Sequence, residues 1–498
     1  MGKKSRGRAH VRGALPVQET NVEDGVRKPL SRQKRSEVNS LVERLLKVSS
    51  TILPAPHADK EWESHLKIEK LVEKIRKIES DMKIPVADRR AYIEEFTTWM
   101  KVYGAEIDGV KISHFPGYGY GIEAEKNFAQ GDLLLAVPRK VMLTTENIQD
   151  SLLDPLFRTD AMLQHMPNVA LSLLLLVEKF KADSFWKPYI AVLPTEYTTV
   201  LYFKTNELQE LKGSPSLEPA LKQCRNIARQ YAYFSTLFQK SSDPASVLLR
   251  EVFTYEQYCW AVSTVMTRQN FVPSSDGGTM LNALIPMWDM CNHNNGKLST
   301  DFNAEQNRSE CMACRDYQAG EQIFISYGPR TNSEFFVHNG FVYPDNEHDG
   351  LRLRLGISRD DPLQPERAQL LGRLGIPASG DFMLKKGPDP VDGRLLAFLR
   401  VFNMGPDHLK HWLSSERSCD LVYPDCALTT EVESKMWIFL LNRIRLLQRA
   451  YTTTVEDDCK ILKHAHLTPC YRMAVQLRVT EKKLLEAAEE YVKQRIKA

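Results

Sequence analysis

Two strand-rich stretches, residues 105–143 and 280–327, lie on either side of a long helical segment. In the first, Ile107, Val110, Ile112 and Phe115 are short β signals around Gly109. A glycine-rich turn, Phe115-Pro-Gly-Tyr-Gly-Tyr-Gly121, follows, and Asp132-Leu-Leu-Leu-Ala-Val-Pro138 reads as a strand. In the second, Ala283-Leu-Ile-Pro286, Glu310-Cys-Met-Ala-Cys314 and Gln322-Ile-Phe-Ile-Ser-Tyr327 read as strands. A strand set divided in this way predicts that its two glycine- and polar-rich ends meet in space and form one site.

The remaining pattern is helical. Apolar residues recur at helical spacing in Met162–Phe180 and Leu217–Phe238 within the insertion. Upstream, Val38, Leu41, Val42 and Leu45 mark one helix, and Pro54 and Pro56 then break the chain. Trp62, Leu66, Leu71, Ile75 and Ile78 mark a second helix, and Asp88 is a candidate cap for a third carrying Tyr92, Phe96 and Trp99. Downstream, Thr453-Thr-Val-Glu456 fits a capping box, and Met436–Leu447 and Leu484–Ile496 have helical spacing. The expected organisation is a disordered basic tail over 1–35 and an N-terminal helical region over 36–104. A β-containing domain over 105–344, with a helical insertion at about 145–265, and an all-helical region over 345–498 complete it.

Composition excludes several classes. With 43% hydrophobic and 26% charged residues the chain has an ordinary globular balance, which excludes a wholly disordered or fibrous protein. Nine scattered cysteines are too sparse for a disulfide scaffold and point to reduced thiols. The longest apolar stretch, Val169–Val177, is too short for a membrane span, and the basic start has no apolar segment after it to make a secretory signal. Residues 1–35 hold ten Lys or Arg and three acids, a net +7 that leaves the rest of the chain at −4. That tail reads as solvated chain, and nucleic acid is not an expected partner.

Taken singly, the polar motifs leave alternatives open. Gly117-Tyr-Gly-Tyr-Gly121 fits a plain turn or a ligand loop, and it matches neither a dinucleotide fingerprint nor a phosphate loop. Trp288-Asp-Met-Cys-Asn-His293 fits a buried polar turn or a ligand site; Cys311 and Cys314 have no matching second pair, so no metal is expected. Gly320-Glu-Gln-Ile-Phe-Ile-Ser-Tyr-Gly328 is a turn and strand ending in Tyr327, which fits a core aromatic equally well.

Together, Gly119-Tyr-Gly121, Asp289-Met-Cys-Asn-His293 and Gly320–Gly328 resemble the SET-domain methyltransferases. The helical insertion and helical C-terminal part are similar to the branch that contains the Rubisco large-subunit lysine methyltransferases. Ala261-Val-Ser-Thr-Val-Met-Thr-Arg-Gln-Asn270, Leu284–His293 and Leu395-Leu-Ala-Phe-Leu-Arg-Val-Phe402 resemble the members of that branch that methylate a histidine of actin.

The resemblance implies an α+β fold: a SET domain of small β-sheets with a pseudoknot, followed by an all-α substrate-binding domain. It implies S-adenosyl-L-methionine as cofactor and actin as protein substrate, a substrate that favours a cytoplasmic location with the nucleus as the alternative; no membrane partner and a monomer are expected. Carried over by motif, the cofactor lies against Tyr118, Gly119 and Tyr120, with Arg89 and Arg268 at its charged ends. Asp289, Met290, Cys291, Asn292 and His293 wrap it, and Asn339, Gly340 and Phe341 close the pocket. Tyr327 is the active-site tyrosine with Asn270 as its catalytic companion, and Gln269, Trp288, Ile325 and Arg330 line the substrate side. The close relatives carry an acid at the position of Tyr118, Ser at that of Asn339 and an apolar residue at that of Asn282.

Residue chemistry suits such a reaction. Methyl transfer from a sulfonium is an in-line displacement in which orientation supplies much of the acceleration. A lysine acceptor, with a pKa near 10.4, must first lose a proton, whereas an imidazole near 6.5 is already mostly neutral at pH 7. An imidazole needs only its tautomer fixed, and the Asn270 side chain offers both a donor and an acceptor for that. Flat walls such as Tyr327 and Trp288 suit a flat ring and its cationic product. A lysine methyltransferase and a non-catalytic peptide-binding module are the competing readings.

Overall fold

A computed structural model describes residues 30–51, 58–82, 88–297, 299–426 and 428–497. Residues 1–29 of the expected disordered tail and the Pro54–Pro56 break lie outside the described residues. The first helix, Arg32–Ser49, starts inside the segment expected to be disordered. Ser31 caps it by accepting from the Lys34 amide at 3.3 Å, and Arg35 pairs with Glu251 at 2.7 Å. The helix buries Val38, Leu41, Val42 and Leu45, the face read from spacing. It packs on the helices Ala58–Glu79 and Leu217–Lys240. In the second helix Ile68, Leu71, Val72 and Ile75 are buried, whereas Leu66 is 42% exposed and belongs to the outer face. Asp88 caps a short 3-10 turn, Arg89–Tyr92, that leads into the helix Ile93–Val102.

The sheets join the two sides of the insertion. Among the described residues the strands are β1 (Val110–Phe115), β2 (Gly119–Ala124), β3 (Leu133–Pro138), β4 (Leu143–Thr144), β5 (Gln269–Pro273), β6 (Met280–Leu284), β7 (Asn292–His293), β8 (Thr300–Asn303), β9 (Arg308–Met312), β10 (Gln322–Ile325), β11 (Gly350–Gly356) and β12 (Ser379–Lys385). They pair in the orders β1-β2-β10-β7, β3-β9-β8, β4-β6-β5 and β11-β12. The first three sheets each combine strands from before and after the insertion. β10 pairs antiparallel with β2 and parallel with β7, placing Phe324 opposite Asn292 and Ile325 opposite His293. The chain beyond Tyr327 then returns over β7: the Tyr343 hydroxyl donates to Asn294 Oδ1 at 2.7 Å, and Asn295 Nδ2 donates to the Asp345 carbonyl at 2.9 Å.

The insertion covers these sheets with helices such as Pro167–Phe180, Leu217–Lys240 and Tyr255–Arg268, and one continuous apolar core runs through both. A second core lies in the C-terminal part. That part is not all helical, because β11 and β12, with the helix Gln364–Arg373 between them, pair into an antiparallel two-stranded sheet. Leu351, Leu353 and Leu355 alternate with Arg352 and Arg354, so one face is buried and the other is not. The capping box lies one residue later than expected: Thr454 and Asp457 cap Val455–Leu462. Among the described residues no helix is long and apolar enough to cross a membrane.

Candidate active site

Three chain segments converge at the seam between the sheets. The first is the β1–β2 turn. Gly117 and Gly119 have φ of 82° and 75°, a left-handed region that glycine adopts without steric cost. Gly121 meets a different constraint: a Cβ there would lie 2.7 Å from Gln322 Oε1 and 2.8 Å from Asn292 Nδ2. The bare backbone lets Asn292 Nδ2 donate to the Tyr120 carbonyl at 3.2 Å and to Gln322 at 2.8 Å, which ties β2, β10 and β7 together. Arg89 lies behind the turn, its guanidinium 4.7 Å from the Tyr120 ring centroid and Nη2 3.7 Å from the Met290 sulfur.

The second segment is the turn from Pro286 to His293. Met287 sits at φ 69° and ψ −50°, a conformation that costs an L-residue about 1–3 kcal/mol and persists only when its surroundings enforce it. Met287 is fully buried. The turn brings Trp288 and Asp289 inward. Asp289 accepts from the Tyr189 hydroxyl at 2.6 Å and pairs with Arg268 at 3.3 Å, and Arg268 also donates to the Asp289 carbonyl at 2.6 Å. Burial pushes the Asp289 carboxyl above its ordinary value, against the pull of Arg268.

The third segment starts at Tyr327. Its hydroxyl donates to the Cys291 carbonyl at 2.7 Å, and its amide donates to His293 Nδ1 at 3.1 Å. Burial raises the Tyr327 pKa and lowers that of His293 to about 4, so both are neutral at pH 7. Residues Phe335–Asn339 form a π-helical turn, a feature frequent at functional sites, ending at Gly340 with φ 75°. A Cβ on Gly340 would lie 2.8 Å from the Thr198 carbonyl carbon, so the turn packs directly on the insertion.

Two cavities meet here. The larger, about 1040 Å³, is lined by Tyr118, Tyr120, Arg268, Asp289, Met290, Asn292, His293, Tyr327, Asn339, Gly340 and Phe341 among others. The smaller, about 130 Å³, is lined by Arg268, Gln269, Asn270, Trp288, Asp289, Cys291, Ile325, Tyr327, Arg330 and Asn339 among others. They share Thr267, Arg268, Asp289, Tyr327 and Asn339. The residues expected on the cofactor side thus mostly line one cavity, and those expected on the substrate side the other. Cys291 differs, because it lines the smaller cavity. Gly119 and Arg89 line neither; Gly119 shapes the hairpin and Arg89 backs Tyr120 and Met290.

In the smaller cavity the side chains have defined polarity. Asn270 Nδ2 donates to the Arg268 carbonyl at 3.1 Å, which leaves Oδ1 as the arm that accepts. The sequence left both senses open. Trp288 is 5% exposed and its indole nitrogen is buried without a protein partner. Arg330 donates to Asn339 Oδ1 at 2.9 Å.

Sequence reasoning missed the insertion's share of the site. Pro194, Glu196, Tyr197, Thr198 and Tyr202 line the larger cavity, as do Thr468, Pro469 and Cys470 at the start of the last helix. Tyr189 holds Asp289 from the helix Lys187–Val192. None stands in a glycine-rich or charged motif, so local pattern carried no signal for them.

The SET-domain family profile matches residues 119–328, and the Rubisco LSMT substrate-binding profile matches residues 358–485. The actin-histidine N-methyltransferases of Homo sapiens and Mus musculus are each 41% identical to the chain over 457 residues, 91% of this chain and 77% of theirs. Among solved structures, the SET domain of LSMT bound to lysine and AdoHcy aligns with a TM-score of 0.67 at 21% identity, covering 81% of this chain and 91% of that one. Rubisco LSMT bound to AdoMet aligns with a TM-score of 0.65 at 23% identity, covering 81% and 92%. With its seam of composite sheets and paired cavities, the chain belongs to the family of SET-domain proteins that includes the human and mouse actin-histidine N-methyltransferases.

Proposed function

We propose that the protein transfers a methyl group from S-adenosyl-L-methionine to a histidine of actin, giving the tele-methylated ring. The observation that carries this reading is the junction of the two cavities at Arg268, Asp289 and Tyr327, with the Asn270 acceptor arm on the smaller side.

The larger cavity fits a polar cofactor of that kind. Asp289 Oδ1 and Arg268 Nε, on residues that line it, are buried without protein hydrogen-bond partners, so charge of both signs is available to a ligand that bears an ammonium and a carboxylate. Arg268 and the Asp289–His293 turn would hold it, Tyr118, Tyr120 and Phe341 would flank it, and Arg89 would support Tyr120 and Met290 from behind. When bound, S-adenosylmethionine supplies an electrophilic methyl group on its sulfonium. The chain's part is to align the acceptor nitrogen and exclude water. Asn270 Oδ1 accepts the imidazole N–H, which leaves the lone pair on the opposite nitrogen facing the cofactor side. Tyr327 keeps its proton, because burial raises its pKa and its hydroxyl is committed to the Cys291 carbonyl; its ring and that of Trp288 frame the acceptor. No base is needed for a neutral imidazole. A lysine would need one, and the carboxylate lining the smaller cavity, Asp289, is already tied to Tyr189 and Arg268. An actin substrate favours the cytoplasm as the site of action, with the nucleus as a second compartment.

The test incubates purified protein with S-adenosylmethionine and unmodified recombinant actin, then locates any added methyl by peptide mass spectrometry. A methyl on one histidine is the expected result. A methyl on lysine would move the acceptor assignment, and cofactor binding with no methylated product would remove the enzymatic reading.

A further inference from the structure

Tyr189 is fully buried in the helix Lys187–Val192 and lines neither cavity, yet its hydroxyl donates to Asp289 Oδ2 at 2.6 Å. Arg268 Nη1 lies 3.3 Å from the same oxygen. An arginine keeps its charge and has no acceptor, so Oδ2 is an accepting atom and the hydroxyl is its donor. Oδ1 is buried without a protein hydrogen-bond partner. Among the described residues Tyr189 is therefore the neutral donor that offsets the burial of this carboxylate, whose side chain is 0% exposed. Arg268 and Asp289 both line the two cavities where they meet.

The titratable and charged groups that face Asp289 are Arg268 at the end of the helix Tyr255–Arg268, Arg89 in the turn Arg89–Tyr92, Tyr189 and Tyr197 from the insertion, Cys291 and Tyr327. Burial raises the three tyrosines and the Cys291 thiol, and burial with Arg268 alongside lowers Arg89 only to about 10. His293, on the larger cavity, is lowered by burial to about 4. None of these groups changes charge between about pH 6 and about pH 8, which leaves Asp289 as the group there that can.

We propose that Tyr189 is a positioning residue: its hydroxyl holds the Asp289 carboxylate in the charged form beside Arg268, so that the junction of the cavities keeps a buried negative charge that favours a sulfonium ligand over its neutral-sulfur counterpart. This deepens the cofactor reading of the larger cavity and rests on it. S-adenosylmethionine and S-adenosylhomocysteine differ by one methyl group and the positive charge at sulfur. A charge in a site shielded from water acts over several ångströms, so Asp289 need not touch the sulfur. With Phe at position 189 the ring still packs against Phe96, but the carboxylate loses its neutral donor and burial drives it to take up a proton. The preference for the sulfonium is then present above the new titration point and lost as pH falls through it.

The test measures Kd for S-adenosylmethionine and for S-adenosylhomocysteine by titration calorimetry on the full chain at several pH values. Both ligands carry the same ammonium and carboxylate, so the ratio of the two Kd values isolates the charge at sulfur. In the wild type the ratio is expected to stay flat from about pH 8 to about pH 6, because Asp289 remains ionised throughout. In Tyr189→Phe it should move against S-adenosylmethionine by about tenfold over that range, within the roughly hundredfold that one linked proton allows across two pH units. Asp289→Asn should show the weakened preference at every pH, and Tyr189→Phe should add no slope in that background, because the two act as one unit. A flat ratio in Tyr189→Phe, an equal loss for both ligands, a wild-type slope as steep as the variant's, or a slope that survives in the double variant overturns the proposal. Wild-type protein that binds neither ligand removes the cofactor reading and the proposal with it. Cofactor binding without a methyl on an actin histidine removes the acceptor reading alone.

Discussion

Asn270 illustrates how much one side chain decides. Its amide donor is held by the Arg268 carbonyl, which leaves its oxygen as the accepting arm of a residue that lines the smaller cavity; under the proposed function that arm selects one imidazole tautomer. Asn270→Ala is expected to lower kcat/KM for actin on the order of 100-fold, since misorientation alone costs that much. The cofactor Kd should stay near normal in an equilibrium binding measurement, and an equal loss in both would assign Asn270 to cofactor binding instead. Asp289 and Tyr327 make the opposite point. Their motifs are plain in the sequence, but the partners that fix their protonation, Tyr189, Arg268 and the Cys291 carbonyl, are scattered along the chain. Residue type made them visible and only folding gave them their states.

At the scale of elements, helix faces follow spacing closely because one stripe of each helix must leave water. The buried set Val38, Leu41, Val42 and Leu45 was read directly, and fully burying each such side chain stabilises by about 1.5–3 kcal/mol. Helix contacts also bury a group that spacing gives no reason to bury. Glu79, at the end of the helix Ala58–Glu79, accepts from the Tyr231 hydroxyl at 2.5 Å and from the Tyr255 amide at 2.8 Å. Burial lifts its pKa from 4.5 to about 7, outweighing the Tyr231 hydrogen bond. The folded state thus holds a proton that the unfolded chain has lost, so this contribution is complete below about pH 4.5 and disappears as pH rises through about 7. Glu79→Gln is expected to flatten the pH dependence of stability over that window by about 3 kcal/mol. Urea unfolding at several pH values checks it, and an unaltered pH slope would show that Glu79 titrates normally.

At the scale of the whole molecule, the last helix, Pro469–Lys497, joins the two cores. Cys470, Met473, Ala474 and Leu477 pack into the first, and Leu484, Leu485, Ala488 and Val492 into the second. Between them Glu481 accepts from Ser214 at 2.9 Å, Ser216 at 2.6 Å and Tyr451 at 2.9 Å, tying the insertion to the C-terminal part. Glu481→Ala removes the acceptor of the Tyr451 and Ser214 hydroxyls, while Ser216 keeps its bond to Ser333 at 2.8 Å; each group that stays unsatisfied costs about 1–3 kcal/mol. Calorimetry should then show a lower Tm and a transition split between the two cores. A single transition at the wild-type temperature would mean that the helix couples them by apolar contact alone.

The sequence by itself determined the helix faces, most strand positions and the polar groups of Asp289–His293 and Tyr327, because each depends on spacing or residue type within one local segment. It also carried an unread sign of the C-terminal strand pair, the alternation of Leu and Arg in β11. The tertiary structure alone decided which strands pair across the insertion, that Tyr189 and Arg268 converge on Asp289, and that the start of the last helix lines the larger cavity. Those contacts join residues far apart in the chain. Their energy comes from burial and hydrogen bonds that exist only once the whole chain has closed, so no local window contains them.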